Sequence, residues 1–276
     1  MHLFELNTAV LIIVLFGGIL GSTGLGMVVG RSMRNRPNGR KETLAVMHTT
    51  LLGFMGLVLA FGLSLAVGRY EARRAAVVSE ANAIDTTYLR AQTLIEPVRT
   101  ESIELLERYV DISIRISHVR PGSPEQTEAT ADSGQVQHDL WGFAGEALVS
   151  APEASAPRLY VEALNQTFEA QSSRVAGLGN RVPTPVLLLE MIGAAIALGL
   201  LACNVALLGR GVIPILLAAL LVSFTLFVTF DLDRPSRGFI QVPSTPLDNV
   251  EASMDEGPAA EGPDAEQPNA EGRDAP

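Results

Sequence analysis

Long apolar blocks alternate with polar, amphipathic segments along the chain. Four of these blocks carry at most one charged residue each, and they are Leu6–Val29, Leu44–Val67, Val186–Leu208 and Val212–Phe230. A helix needs about 20 apolar residues to cross a hydrocarbon core of ~30 Å, because it rises about 1.5 Å per residue. Backbone amides inside lipid must be paired within the segment, so such blocks are expected to be helical. The pattern predicts four transmembrane helices.

The first apolar block is expected to stay in the protein as a membrane helix. The alternative is a signal peptide, with a basic start and a short apolar middle. Residues 1–5 contain no Lys or Arg, and the apolar run is too long for that alternative. A glycine-rich nucleotide loop is disfavoured because no strand precedes these glycines. The spacing of Gly17 with Gly21, and of Gly26 with Gly30, instead favours close helix packing.

Residues 69–182 lie between the second and third blocks and are more polar. Apolar residues recur at intervals of seven and four from Val77 to Ile95, which is the spacing of one helical face. Residues 121–134 (PGSPEQTEATADSG) are expected to form a polar linker. Further helices are expected over Val136–Val149 and Pro157–Ala176. Amphipathic helices of this kind usually pack as a bundle, which here lies outside the membrane.

These patterns predict an all-α integral membrane protein with a helical extramembrane domain between its second and third membrane helices. Five parts follow in order: 1–43, the first transmembrane helix and a basic loop; 44–68, the second transmembrane helix; 69–182, the helical domain; 183–247, the third and fourth transmembrane helices and a post-helix segment; and 248–276, a disordered acidic tail. The tail is rich in Glu, Asp, Gly, Pro and Ala, and cannot bury enough apolar surface to offset the entropy of ordering.

Composition agrees with a membrane protein and argues against a cytosolic enzyme. Charged residues make up 18% of the chain, where a soluble domain carries about 25%. The net charge of -10 belongs mostly to residues 248–276, which hold nine acids and one base. Cys203 is the only cysteine, so no intrachain disulfide can form. The four histidines lack metal-ligand spacing, and no catalytic motif is present. We expect no enzyme activity, no metal, no cofactor and no nucleic-acid partner.

Small residues form a stripe along the second helix, at intervals of fours and threes. Its members are Thr49, Gly53, Gly56, Ala60 and Ser64. One interpretation is a close contact with another helix. The other is a pore-facing surface in an oligomer, where small side chains leave room for an ion and its water.

Ionisable residues concentrate at one membrane edge, because an even number of spans brings the end of the second helix and the end of the fourth to the same side. The candidates for a pore mouth or for ion pairs are Arg69, Arg73, Arg74, Asp231, Asp233 and Arg234. A carboxylate at a helix C-terminus opposes the negative end of the helix dipole. Asp231 is therefore expected to need a cationic partner, for which the arginines after the second helix are candidates. Glu190, inside the third helix, either snorkels to the interface or has a function.

Short motifs at the ends of two helices add a family resemblance. The second helix is followed by RYEARR at 69–74, EANAI at 80–84 and YLR at 88–90, and the fourth by DLDRP at 231–235. This resembles the bacterial bestrophin-like membrane domain of unknown function, whose pattern has E-A-N-A after its second span and L-D-R-P after its last. The resemblance covers roughly Leu44 to Leu247, with 118–156 unmatched.

Bestrophins are pentameric anion channels in which the second helix lines the pore and ends in an R-W-x-E-A-R-like segment, where this chain has Tyr70 for tryptophan. The resemblance implies a multi-pass protein of the cell membrane. It also implies a homo-oligomer that conducts inorganic anions. The chain departs from it in lacking a bulky apolar neck in the second helix and an acidic cluster beyond Asp231 and Asp233 like the calcium clasp of animal members. The competing hypothesis is a non-conducting scaffold or sensor whose helical domain and acidic tail bind partners.

The orientation in the membrane stays open at this point. The loop between the first two helices holds five bases, which by the positive-inside rule places that loop in the cytoplasm and the helical domain outside. Bestrophin topology requires the reverse. Arginines on the domain side, among them Arg69, Arg174 and Arg237, partly offset the bias.

Overall fold

The computed structural model describes residues 8–34, 39–209, 211–234 and 238–256, and these ranges contain helices and connecting turns but no strand. The helices are α1 Thr8–Met33, α2 Gly39–Ala91, α3 Val98–His118, α4 Pro124–Ser150, α5 Ser155–Gly179, α6 Thr184–Leu207, α7 Ile213–Leu232 and α8 Thr245–Asp255. Four of them, α1, α2, α6 and α7, contain segments long and apolar enough to cross a membrane. The prediction of an all-helical chain with four long apolar helices is confirmed.

The membrane layer consists of α1, the first half of α2, α6 and α7. Helix α6 contacts all three of the others, and α7 also contacts α1 and α2. The buried apolar side chains between them include Leu15, Leu59, Leu198, Leu226 and Phe230. Many of the remaining large apolar residues of these helices are exposed, as expected for helices whose outer faces meet lipid or another subunit.

Two glycines of α1 allow its backbone to touch that of α6. A Cβ added at Gly26 would overlap the backbone of Gly199, and one added at Gly30 would overlap the backbone of Cys203. The predicted close packing therefore occurs at the Gly26/Gly30 pair. At Gly17 and Gly21 an added Cβ would meet no described atom within 4 Å, so that pair makes no such contact with the described residues of the chain.

The second half of α2 leaves the membrane layer and forms the extramembrane domain with α3, α4, α5 and α8. Helix α2 is continuous through both layers over 53 residues and contains no proline. The domain core is apolar and aromatic, with Ile84, Leu106, Tyr109, Leu140 and Tyr160 almost fully buried. The apolar face predicted from Val77 onward is buried through Ala91, whereas Ile95 lies beyond the helix and is exposed.

The linker predicted over residues 121–134 is wrong, because most of it is the start of α4. Ser123 is the N-cap, and its hydroxyl oxygen accepts a hydrogen bond from the Gln126 backbone N–H at 3.2 Å. Pro124 follows in the first turn, a position where a missing N–H costs nothing. Ala129 and Ser133 are buried against the domain, so small residues provide the packed face of this first half.

The disordered acidic tail was predicted to begin at residue 248, and this start is too early. Residues 245–255 form α8, which packs against α2 and α3 and buries Leu247, Val250 and Met254. The spacing of these three residues gives an apolar face within an acidic sequence, and this face is what holds α8 on the domain. The rest of the predicted tail, from residue 257, lies outside the described residues.

Candidate functional site

The two sides of α2 differ sharply within the membrane layer. Met55, Leu59, Gly62 and Ala66 are buried against the neighbouring helices. The predicted stripe lies on the other side at 3.6 residues per turn, and all of its members are exposed in the single chain: Thr49, Gly53, Gly56, Ala60 and Ser64. We call this surface the small-residue face. It is available to a partner or to an aqueous pathway, and its pore-lining role stays a prediction.

Bulky apolar side chains border the small-residue face on the same helix. Phe54, Leu57, Phe61 and Leu65 are each about half exposed or more, and they differ from the exposed residues of the small-residue face in the size of their side chains. A helix that presents an apolar ridge next to a groove of small residues can seat the ridge of another helix in that groove or leave the groove open. The single chain does not fill the groove with any of its own described helices.

A buried ion pair joins α2 to the end of α7 at the membrane edge. The Arg73 guanidinium lies 3.7 Å from Asp233 Oδ1, with both side chains almost fully buried. Arg73 also donates to the carbonyl oxygens of Leu232 and Asn180, at 3.2 and 2.8 Å. Asp233 accepts from the Val182 backbone N–H at 2.8 Å. This junction ties together α2, the α5–α6 connection and the end of α7.

Burial raises the pKa of Asp233 above its ordinary value, and the Val182 N–H and the charge of Arg73 oppose that rise. Two further arginines, Arg181 and Arg69, act in the same direction as Arg73. Burial and the surrounding positive charge thus have opposite effects on the pKa of this carboxyl group. Its position is a structural one, inside the chain and away from the small-residue face.

Within the described residues, Asp231 accepts hydrogen bonds from backbone amides and not from the arginines after α2, which we had expected to be its partners. Phe239 donates to Oδ1 at 3.1 Å and Ile240 donates to Oδ2 at 2.9 Å. The carboxylate therefore caps the segment after α7, with Gly238 so close that an added Cβ would lie 2.7 Å from Oδ1. Backbone N–H groups can also donate charge-assisted hydrogen bonds to a buried carboxylate, which charge counting alone could not anticipate.

The remaining candidates at this edge divide between interior and surface. Arg234 is buried, at 3% exposure. Arg74 is exposed beside Glu71, 3.9 Å away, on the same side of α2 as the small-residue face. Arg69 is half-buried. Four of the six candidates, Arg73, Asp231, Asp233 and Arg234, thus lie inside the chain, and Arg74 is the exposed one.

Glu190 does not snorkel to the interface. Its side chain is fully buried in α6 and turned onto Gly62 of α2, where an added Cβ would overlap the carboxyl group. Within the described part of the chain neither carboxyl oxygen has a hydrogen-bond partner. Gly62 is on the packed side of α2, so Glu190 lies directly behind the helix that carries the small-residue face.

A buried polar network in the domain was missed by the sequence reasoning. Glu80 of α2 forms a buried ion pair with Arg174 of α5. Ser113 of α3 donates to Glu80 at 2.9 Å, and Arg174 donates to the Ser113 carbonyl and the Ser117 hydroxyl, both at 3.1 Å. The available signal was a charged residue on the apolar face shared by Val77 and Ile84. The network ties three helices together, and the described residues contain no group of side chains able to hold a metal ion.

Comparison with known families gives one result over most of the chain. A sequence model of the Bestrophin-like domain matches residues 15–247. This range includes most of α1, the other three apolar helices and the extramembrane domain up to the start of α8. Comparison with curated proteins gave no sequence match.

Solved structures of a bacterial Bestrophin homolog share this fold. A crystal structure of a variant of a bacterial Bestrophin homolog from Klebsiella pneumoniae matches with a TM-score of 0.66 and 13% identity, covering 88% of this chain and 98% of that chain. A structure of the homolog from the same organism, solved by Zn-SAD phasing, matches with a TM-score of 0.65 and 11% identity, covering 86% and 97%. At such low identity the likeness shows a shared fold.

Proposed function

This chain belongs to the Bestrophin-like family, and from that membership we propose that it assembles into a homo-oligomeric ion channel of the cell membrane, with inorganic anions as the conducted ions. The proposed number of subunits is five, by resemblance to bestrophins. No catalytic activity is part of the proposal.

The observation that carries the proposal is the small-residue face of α2. Helix α2 is held from behind by α6 and α7, while Gly53, Gly56, Ala60 and Ser64 are exposed in front. Small side chains around a symmetry axis leave space for an ion and its hydration shell. Cyclic assembly is the common form of homo-oligomers, and it would bring the same face of every α2 to one axis.

One exposed cationic side chain at the membrane edge supports anions as the conducted ions. Arg74 is exposed on the side of α2 that carries the small-residue face, whereas Arg69 is half-buried on the packed side of the helix. Copies of Arg74 around an axis would raise the local anion concentration. Glu71, beside Arg74, reduces this effect. Reversal potentials in unequal chloride and sodium gradients measure the selectivity directly.

The first test is bilayer recording of the purified protein with a bulky residue on the small-residue face. Ser64→Trp places a large side chain at the proposed axis in every subunit, so we expect single-channel current to fall severalfold or vanish. The matched control is Leu221→Trp, an exposed position on α7, which should leave the current unchanged. Both variants must form the same oligomer as the wild type, counted by native mass spectrometry.

Two outcomes would contradict the proposal. A monomer in membranes leaves no central axis for α2 to line. A stable oligomer that is silent across many ions would favour the competing function, a non-conducting scaffold or sensor.

A further inference from the structure

One ionisable side chain lies inside the membrane layer without a polar partner. Glu190 is six residues into α6, about 9 Å along the helix from its start. It is fully buried, and neither carboxyl oxygen accepts or donates a hydrogen bond among the described residues. Buried ionisable groups in membrane segments are usually paired or face water, because an isolated charge in an apolar medium is strongly disfavoured.

The helices around Glu190 supply no charge to compensate it. Helix α6 packs against α1, α2 and α7, and each of these is free of titratable residues through its membrane interior. The titratable residues that bound these uncharged stretches are Arg31 in α1, His48 and Arg69 in α2, Asp231 in α7 and Cys203 in α6 itself. Arg73 and Asp233 at the membrane edge already pair with each other. The carboxyl group is therefore compatible with this site only when it carries a proton.

The contact partner of the carboxyl group is the backbone of the proposed pore helix. Gly62 faces α6, and an added Cβ there would overlap the Glu190 carboxyl group. The absence of a side chain at this position creates the notch that the carboxyl group fills. Ser64 and Ala60 lie on the other side of the same turns of α2. A change in the volume or hydration of the notch therefore acts on α2 from behind.

We propose that Glu190 and the Gly62 notch form a proton-binding site, and that loss of this proton separates α2 from α6 and lowers the channel current. An ionised carboxylate must recruit water or move toward it, and neither fits while α2 is in contact. Displacement of α2 from behind moves the small-residue face toward the axis and narrows the pathway. The regulatory half of this inference rests on the proposed channel function, whereas the proton site does not.

The proton site is tested on the purified oligomer without any current measurement. The buried site without a polar partner accommodates the neutral carboxyl group and not the carboxylate, so ionisation at higher pH should destabilise the folded protein. The test follows the thermal midpoint of wild type and Glu190→Gln from mildly acidic to alkaline pH. We expect the wild type to lose stability relative to the variant on alkalinisation. Infrared difference spectra should show a protonated-carboxyl C=O band that Glu190→Gln removes.

A second pair of variants keeps the test valid if one substitution damages folding. Gly62→Ala should destabilise the oligomer, because the new methyl group overlaps the carboxyl group, and adding Glu190→Ala should recover most of the loss. The matched glycine control is Gly24→Ala on α1, where an added Cβ meets no described atom within 4 Å. Equal pH profiles for wild type and Glu190→Gln, with no lost infrared band, would overturn the proton site. A dependence on Na⁺ at fixed pH in place of the pH dependence would also overturn it.

Regulation is tested by recording current across the same pH range. Wild-type current should fall as pH rises, and the Glu190→Gln current should stay constant. If the protein does not conduct, the stability and infrared results still decide the proton site, so failure of the channel function can be recognised separately. If both proteins conduct with the same pH dependence, the regulatory half is wrong while the channel function stands.

Discussion

Two consecutive arginines of α2, Arg73 and Arg74, have opposite environments. Arg73 is buried, pairs with Asp233 and donates to two carbonyl groups. Arg74 is mostly exposed, and its contact with Glu71 spans 3.9 Å. Burial makes the first pair sensitive to loss of either partner, since an uncompensated charge would remain inside the protein. Exposure to water leaves the second pair with little net effect on stability.

We therefore predict that Arg73→Gln lowers the free energy of unfolding by about 3–5 kcal/mol, because it leaves the Asp233 carboxylate without its cationic partner. Arg74→Gln is the matched control and should change the free energy of unfolding little. Chemical or thermal unfolding of the purified oligomer in detergent measures both. If the two variants are equally stable, the Arg73–Asp233 junction does not hold the membrane edge together.

Glu251 of α8 gives a pH-dependent prediction at a second position. Its hydrogen bond with Asp111 of α3, together with burial and nearby carboxylates, raises the pKa of Glu251. A carboxyl group with a raised pKa in the folded state stabilises that state at low pH, and this stability is lost as pH rises. Docking of α8 on α3 should accordingly strengthen in mild acid.

The substitution Glu251→Gln should reproduce that strengthening at neutral pH. We expect severalfold slower amide hydrogen exchange in α8, because repulsion from Asp111 is removed. Glu146→Gln, an exposed change on α4, is the control and should leave α8 unchanged. Faster exchange in the Glu251→Gln variant would mean that the charged form is the better partner of α3.

At the scale of the elements, α1 and α6 depend on close backbone contact. Gly26→Val should destabilise the membrane layer by about 1–3 kcal/mol, a typical cost of overpacking, because its side chain would overlap Gly199. Gly17→Val has the same chemistry at a position with no described atom within 4 Å of an added Cβ, and should cost far less. Unfolding of the two variants under identical detergent conditions compares them. Similar losses would indicate that helix propensity, not the α1–α6 contact, dominates.

The membrane helices could be predicted because their signal is long and local. The start of α4 could not, because its packed face uses Ala129 and Ser133 in a segment rich in Pro, Glu and Thr. The S-P-E-Q sequence at 123–126 was the available signal, since serine at an N-cap followed by proline favours a helix start. Helix α8 was missed for a similar reason: three apolar residues supply its face within an acidic stretch.

The contacts of the candidate-site residues could not be predicted from the sequence for a different reason. Arg73 and Asp233 were both identified as candidates, but their pairing depends on how α2 and α7 approach each other in space. Among the described residues, Asp231 accepts hydrogen bonds from backbone amides, which every residue except proline carries, so no side-chain pattern marks these donors. The burial of Glu190 against Gly62 likewise follows from which face of α2 meets α6.

For the whole molecule, the proposed axis can be probed chemically. Cys203 is the only cysteine and is buried, so an introduced thiol can be labelled against a low background. We predict that Ser64→Cys in the assembled protein reacts with a small water-soluble thiol reagent and that the reaction reduces current. Leu221→Cys on α7, the control, should react slowly because its exposed surface meets lipid. The reverse order of reactivity would place the small-residue face away from water.

The unbroken path of α2 through both layers has a mechanical consequence. A 53-residue α-helix is about 80 Å long, and α2 contains no proline, a common cause of a sharp kink. The C-terminal half of α2 contacts α3, α5 and α8. If α2 moves as one unit, a tilt or rotation of this half also displaces Ser64 in the bilayer. A ligand that binds the domain and fixes the orientation of this half of α2 would therefore also change the position of the small-residue face.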